Sequence, residues 1–236
     1  MNPKLSIQAL ALSSLLFGVT ACSSAPSTGG GGTATAPGAG GGTTSAGVVS
    51  ATDKPLDVMT KAIRSQLDAK SYRAHMDVTA SNGTSTMMVE YVSPDRYHVV
   101  RDSQAGGKNS RLEYIIVGKD TFMKTDDRPW AKFPVDMGGM LASFRDPKVI
   151  EELTKGAEIK FLGPDTLDGM PMLVYQYTLD NVGGLAVKSV TKTWVAVSDG
   201  LPRKSESEGE FQGTKSKTVS KVSDYNADIK IELPTQ

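Results

Sequence analysis

Cys22, His75 and His98 are the chain's whole complement of thiol and imidazole groups. A single thiol forms no intrachain disulfide or redox pair, and one Cys with two His falls short of a zinc site built from those ligands. The two histidines sit in strand-like stretches with no Ser or acid placed beside them by a recognisable motif, so they read as solvated or hydrogen-bonded sheet residues. No G-x-S-x-G, P-loop or H-E-x-x-H pattern occurs. Asp126-Asp127 and Glu151-Glu152 are adjacent pairs whose members point to different faces, so neither makes an acid/base couple. Lys204, Glu206, Glu208 and Glu210 recur at period two. Such a row is a solvated strand face that discourages edge pairing, or else an acidic stripe for a protein partner. Lys+Arg 26 against Asp+Glu 26 leaves no net charge to draw nucleic acid. No enzyme activity, cofactor or metal is expected.

What remains for Cys22 is its setting. Met1 to Lys4 is a short positive start, Leu5 to Val19 is an apolar run, and the first acidic residue is Asp53; this is the layout of a secretory signal. The run is too short for the roughly 20 residues that span a bilayer. Val19-Thr20-Ala21-Cys22 resembles a bacterial lipobox, in which small residues precede the cysteine that is lipidated and becomes N-terminal. The resemblance implies a signal peptide over 1–21 and a palmitate-type acyl anchor on Cys22. Ser23 then resembles the default signal for sorting to an outer membrane, where the host has one; otherwise the anchor holds the protein on the outer face of the cell membrane. Cleavage leaves 215 residues with 25 basic and 26 acidic groups, so lipid and not charge must hold it there. Residues 22–50 form the lipidated cysteine and a tether of almost only Gly, Ser, Thr, Ala and Pro. It lacks the apolar surface to offset ordering entropy and has an r.m.s. span of roughly 30 Å.

From Asp53 the pattern changes, and residues 51–236 read as one domain. Asp53 is placed to cap a helix, Pro55 fits its first turn, and Leu56, Met59, Ile63 and Leu67 mark one apolar face as far as Lys70. Alternation from Tyr72 to Val78, then Asn82-Gly83, predicts a hairpin. Strand-length pieces follow over 85–92, 96–101, 111–117 and 121–124, joined by links short enough for an antiparallel meander. Met137, Met140, Leu141 and Phe144 mark a short helical interruption containing Gly138-Gly139, and Asp146 to Gly156 a second. Strands resume over 158–162, 172–179, 189–197, 202–210, 217–225 and 229–233. The fold class is α+β, with about ten or eleven antiparallel strands.

The order of these pieces, with Tyr114-Ile115-Ile116-Val117-Gly118, Trp130-Ala131-Lys132-Phe133-Pro134 and Thr193-Trp194-Val195 before Gly200-Leu201-Pro202, resembles the LolA/LolB and LppX/LprG superfamily. The resemblance implies a curved antiparallel half-barrel covered by a long N-terminal helix and short helices, with an apolar cavity between them. It also implies a carrier of lipids or lipoprotein acyl chains or, in some members, a protein-binding envelope regulator. An acyl chain is held chiefly by area removed from water, and methionine adapts to varied shapes. The candidate cavity and lid residues are therefore Met76, Met87, Leu112, Tyr114, Ile116, Phe122, Met137, Met140, Leu141, Phe144, Phe161, Tyr175 and Tyr177. The same side chains would equally well fill a closed core. The expected partners are an acyl-chain ligand, a membrane through the anchor, and an envelope protein in the second reading; a monomer is expected. A cavity wide enough for alkyl chains favours the carrier, and an interior filled by its own side chains favours the protein-binding module.

Overall fold

The computed structural model describes residues 49–143, 145–146, 158–182, 185–211 and 213–234. The signal segment, Cys22 and the tether up to Val48 lie outside the described residues, as do Phe144 and all of the second expected short helix but Asp146. Val49, at the end of the tether, is 2% exposed and packs with Val58 and Met59, so packing already includes it.

Helix α1 is Pro55–Asp68, about 21 Å long at 1.5 Å per residue. Its cap differs from the expected one. Lys54 is the N-cap and makes no side-chain cap bond, because the Asp53 carboxylate instead accepts the Ser50 N–H at 2.8 Å. Val58, Met59, Ala62 and Ile63 form the buried stripe, while Leu56 is 45% exposed and lies outside it.

Strands β1 (Ser71–Ala80), β2 (Gly83–Val92), β3 (Arg96–Ala105), β4 (Lys108–Val117), β5 (Asp120–Thr125) and the short β6 (Ala131–Phe133) follow α1 as a meander. Helix α2 (Met137–Ser143) interrupts, and β7 (Ile159–Leu167), β8 (Met170–Val182), β9 (Leu185–Ala196), β10 (Pro202–Phe211) and β11 (Thr214–Ser223) form a second meander. The two join where β1 pairs with β11. The result is one antiparallel eleven-stranded sheet in the order β6-β5-β4-β3-β2-β1-β11-β10-β9-β8-β7, open between β6 and β7.

Two expectations shift in detail. The first hairpin turns on Ser81-Asn82 rather than Asn82-Gly83, since Ala80 already pairs with Gly83. Gly83 is needed for another reason: with φ at 152°, a Cβ there would lie 2.2 Å from the Gln104 carbonyl oxygen on the next strand. The segment 229–233 is not a strand. β11 ends before Asp224 and Asn226, both with positive φ, and the tail lies across the sheet with Ile229 and Ile231 buried. Its carbonyls are met by side chains: Ser71 Oγ donates to Ala227 O and Arg96 donates to Ile231 O.

Register assigns the faces, because directly paired residues share one. One face carries Arg73, Glu90 and His98. Arg73 donates to Glu90 at 2.8 Å, and His98 sits between Glu90 at 3.1 Å and Glu113 at 2.8 Å. Burial opposes ionisation of Glu90, but the bonds from Arg73 and His98 outweigh it and hold that carboxyl below its ordinary value. The other face carries Tyr72, Ala74 and Met76 of β1 with their partners Tyr91, Val89 and Met87 of β2. This second face takes both helices. α1 packs on the Leu173, Tyr175, Tyr177 and Val195 side, and Leu141 of α2 on the Val89, Val99 and Ile116 side.

Candidate functional site

A cleft lies between α1 and this helix-covered face. Met59, Ala62, Ile63 and Leu67 of α1 form its roof, and Ala74, Met76 and Tyr177 lie in its floor with Thr193, Ser205 and Ser220. Leu141, Tyr97 and Arg145 close one end. Tyr97 of β3 and Tyr177 of β8 both reach it, although seven strands from β3 to β8 would spread over about 29 Å in a flat sheet at roughly 4.8 Å per step. The sheet therefore curls around the cleft and this face is concave. The free space measures about 80 Å³.

The closed end is aromatic and cationic. Tyr72 and Tyr91 have ring centroids 5.0 Å apart, Tyr91 and Tyr97 likewise, and Tyr72 and Tyr225 are 6.0 Å apart. The Arg145 guanidinium lies 4.3 Å over the Tyr91 ring and donates to the Leu67 carbonyl near the end of α1. It thereby ties the chain after α2 to the last turn of α1. Burial raises the Tyr72 and Tyr225 hydroxyls well above the usual phenol value and pushes Tyr97 up to about 12, with Arg145 pulling Tyr72 and Tyr97 back. Burial also raises Tyr177, against hydrogen bonds with Thr193 and Thr191. A second concave-face cation, Arg101, pairs with Met87 and Leu112, and burial lowers its pKa. Lys204 reaches the cleft only along its stem; its ammonium lies over Trp194 at 4.4 Å, next to Glu206.

The sequence-derived candidates separate into groups. Met76, Leu141 and Tyr177 line the cleft. Met87 and Ile116 are buried on the concave face in the cluster around Met76, with Tyr114 and Met137 packed on it. Tyr175 is buried under α1 with Phe161 against it. Leu112 pairs with Arg101 at the far end of that face, and Met140 is 36% exposed on the outer side of α2. Phe122 is on the wrong face: it pairs with Ile115, which pairs with His98, so strand parity turns it away from the cleft. Its neighbours Thr121 and Met123 take the concave positions, and Thr121 is fully buried.

The structure adds residues that hydrophobicity did not flag. Arg145 follows α2 directly, and no pattern marks it. Thr193, Ser205 and Ser220 belong to a small-polar alternation that is visible in the sequence but lies opposite the charged row that drew attention. Among the described residues no three His, Cys, Asp or Glu side chains gather as a metal site, and no helix is long and apolar enough to cross a membrane.

No family model matches this sequence, and no curated protein does. Solved structures do match. LprF from Mycobacterium bovis superposes with a TM-score of 0.53 at 13% identity, over 77% of this chain and 97% of its own. The lipoprotein LppX of Mycobacterium tuberculosis gives 0.51 at 12% identity, over 75% and 97%. At that identity the likeness is one of fold. This chain has the LppX-like fold: a large open antiparallel sheet curled around the two described helices.

Proposed function

We propose that this protein is a bacterial envelope lipoprotein that takes the acyl chains of a lipid or acylated molecule into the cleft beneath α1 and passes them on without chemistry. The cleft carries this reading. Its roof is the apolar stripe of a single helix, its floor includes Met76, and Arg145 pins its rim. At about 80 Å³ it is smaller than the roughly 300–1,000 Å³ of pre-formed small-molecule sites, so on this reading loading requires α1 to lift. Two chains of about 16 carbons would gain of order 25 kcal/mol in gross burial, at roughly 0.8 kcal/mol per methylene, which is ample to open the rim. Cys22 would anchor the protein to the membrane through the tether, keeping donor and acceptor within reach.

The small free space favours a second reading, a protein-binding envelope module whose interior is its own core. Native mass spectrometry with organic extraction separates the two. The sample is the full chain carrying Cys22→Ala, so that no anchor lipid adds mass. Discrete co-purifying lipid masses, lost in Ile63→Asp, support the carrier. A ligand-free protein that still takes up no lipid when offered it supports the module.

A further inference from the structure

The two ends of α1 are held by different means. At the C-terminal end only Ala69 and Lys70 separate the helix from β1, and both are fixed. Ala69 is buried. The Lys70 N–H donates to Asn226 Oδ1 at 2.8 Å, and the Lys70 carbonyl accepts from the Ser93 N–H at 2.8 Å. Arg145 adds its bond to the Leu67 carbonyl. A helix joined to a strand by so short and so fully bonded a link cannot rise at that end without breaking those bonds, so this end lifts last.

The N-terminal end has no such tie. Among the described residues, the hydrogen bonds of Ser50 to Lys54 all run within residues 50–58, and Lys54 caps the helix without a side-chain bond. Leu56 and Asp57 are exposed, and the first buried residue of the helix is Val58. The chain before α1 supplies the contact that the first turn lacks: Val49 is buried in one apolar cluster with Val58 and Met59 of α1, Leu173 and Tyr175 of β8 and Val195 of β9. A turn brings it back there. The Asp53 carboxylate accepts the Ser50 N–H at 2.8 Å instead of capping the helix, and the Asp53 N–H donates to the Ser50 carbonyl at 3.1 Å. Val48 and Val49 are also the only branched aliphatic residues between Ser23 and Ser50. The Gly, Ser, Thr, Ala and Pro that make up the rest offer little apolar surface to hold a helix end.

We propose that Val49 is a catch on the free end of α1: the roof opens from its tether end, pivoting at Ala69 and Lys70, and control of the lid sits where the tether enters the fold. One side chain, rather than the whole buried stripe, then sets how often that end rises and uncovers the Leu173, Tyr175 and Val195 side of the sheet. The inference rests on the carrier reading and adds how access to its cleft is governed.

The test uses the full chain carrying Cys22→Ala, alone and with Val49→Ala or Val49→Asp. Amide exchange from Val58 to Ile63, read against β9 and β10, reports the helix end. Transfer of pyrenyl phosphatidylglycerol, from phosphatidylcholine vesicles that carry it to vesicles that do not, reports the cleft. Val49→Ala removes two methyl groups and is expected to raise both rates about tenfold, and Val49→Asp is expected to raise them further. The acceleration should fade towards Leu67, with exchange in β9 and β10 unchanged. Val49→Ala decides the matter if Val49→Asp does not fold. Unchanged exchange in the helix, or an acceleration that reaches Leu67 and β9 equally, overturns the catch and makes Val49 an ordinary core residue. Faster helix exchange with transfer at the unsubstituted rate overturns its control of the cleft. Transfer by none of the three proteins, with the helix end still released, overturns the carrier reading and leaves the catch standing.

Discussion

Gly138 is the position where one added carbon should have the largest effect on the rim of the cleft. It lies in α2 with its Cα against the turn after β4, and a Cβ built there falls 1.7 Å from the Gly118 carbonyl oxygen and 2.9 Å from its carbon. Both are backbone atoms, so no rotamer relieves the clash. Restoring a contact of about 3.5 Å requires α2 to move outward by about 2 Å. That movement draws Leu141, 5% exposed, out of the cluster formed by Val89, Val99 and Ile116. Exposing a leucine costs about 1.5–3 kcal/mol, while Gly→Ala inside a helix returns about 1 kcal/mol. With the residual strain of overpacking at about 1 kcal/mol, Gly138→Ala should lose about 2 kcal/mol, or roughly 4–8 °C in Tm for a domain of this size. Gly139→Ala is the control. Its Cβ meets only the Asp136 carboxylate, at 2.7 Å, a side chain free to swing away. Swinging forfeits the bond in which the Gly139 N–H donates to Asp136 Oδ1 at 2.7 Å, worth about 1 kcal/mol as a cap, and the helix propensity gain offsets it. Urea and thermal unfolding of the two variants should therefore separate them clearly. Gly138→Ala as stable as wild type, or no less stable than Gly139→Ala, would refute the close approach.

Arg145→Ala removes the tie between the Tyr91 ring and the Leu67 carbonyl, so amide exchange at the end of α1 should accelerate while exchange in β9 and β10 stays as it was. Arg145→Lys should not restore protection, because the ammonium lacks the planar face that stacks on the ring. Met140→Asp, at a half-exposed site, should change Tm by less than about 2 °C, whereas Leu141→Asp should unfold α2 from the sheet, since it buries a charge among apolar groups. The alkaline limb is set by tyrosine. Tyr97 is pushed up to about 12 by burial, so the folded state keeps a proton that the unfolded chain gives up near pH 10. Stability then falls as pH rises from about 10 to 12, by about 3 kcal/mol from this residue. Urea melts at pH 9, 10.5 and 12 would show it, and a flat profile would contradict it. On the acid side, the Trp194 indole donates to Asp165 Oδ2 at 2.7 Å and holds that carboxyl below its ordinary value. In Trp130→Phe the remaining indole's fluorescence should titrate below pH 3.8, and the stability this bond adds is present above the unfolded value and lost below it.

Much of the architecture was legible because an open antiparallel sheet writes its period and its turns into the chain. Tyr72 to Val78 alternates, the links between the strand-length pieces are short, and β1 to β5 and β7 to β11 stand where those pieces put them to within a few residues. Where the reading slipped, a longer-range contact decided. Ile229 and Ile231 alternate like a strand, yet β11 already pairs with β1 on one side and β10 on the other, so the tail had no free edge beside it and lies across the sheet. Phe122 was assigned to the cleft because it is large and apolar, but which face a residue takes depends on registry with β4, and a shift of one position reverses it. Gly138 stands in the sequence only as half of a Gly-Gly pair, and its position there does not reveal that the Gly118 carbonyl occupies the space where a side chain would stand.

Hydrophobicity alone reads the concave face of β9 to β11 poorly. Ser189-Val190-Thr191-Lys192-Thr193, Ser205-Glu206-Ser207-Glu208-Gly209 and Ser216-Lys217-Thr218-Val219-Ser220 each alternate small hydroxylic residues with larger ones. By the usual rule the charged positions mark the solvent side, and here that rule holds: Lys192, Glu206 and Lys217 face outward. Its converse, that the inner face should then be apolar, is what fails. Two features of a sequence together would expose such a floor: charges fixing the outer face of a strand, and hydroxyls rather than aliphatics filling the inner face on three consecutive strands. A single strand of that kind reads as an ordinary exposed edge. Three in register form a small-polar surface on the concave side, with Ser189, Thr191, Ser207, Ser216 and Thr218 buried.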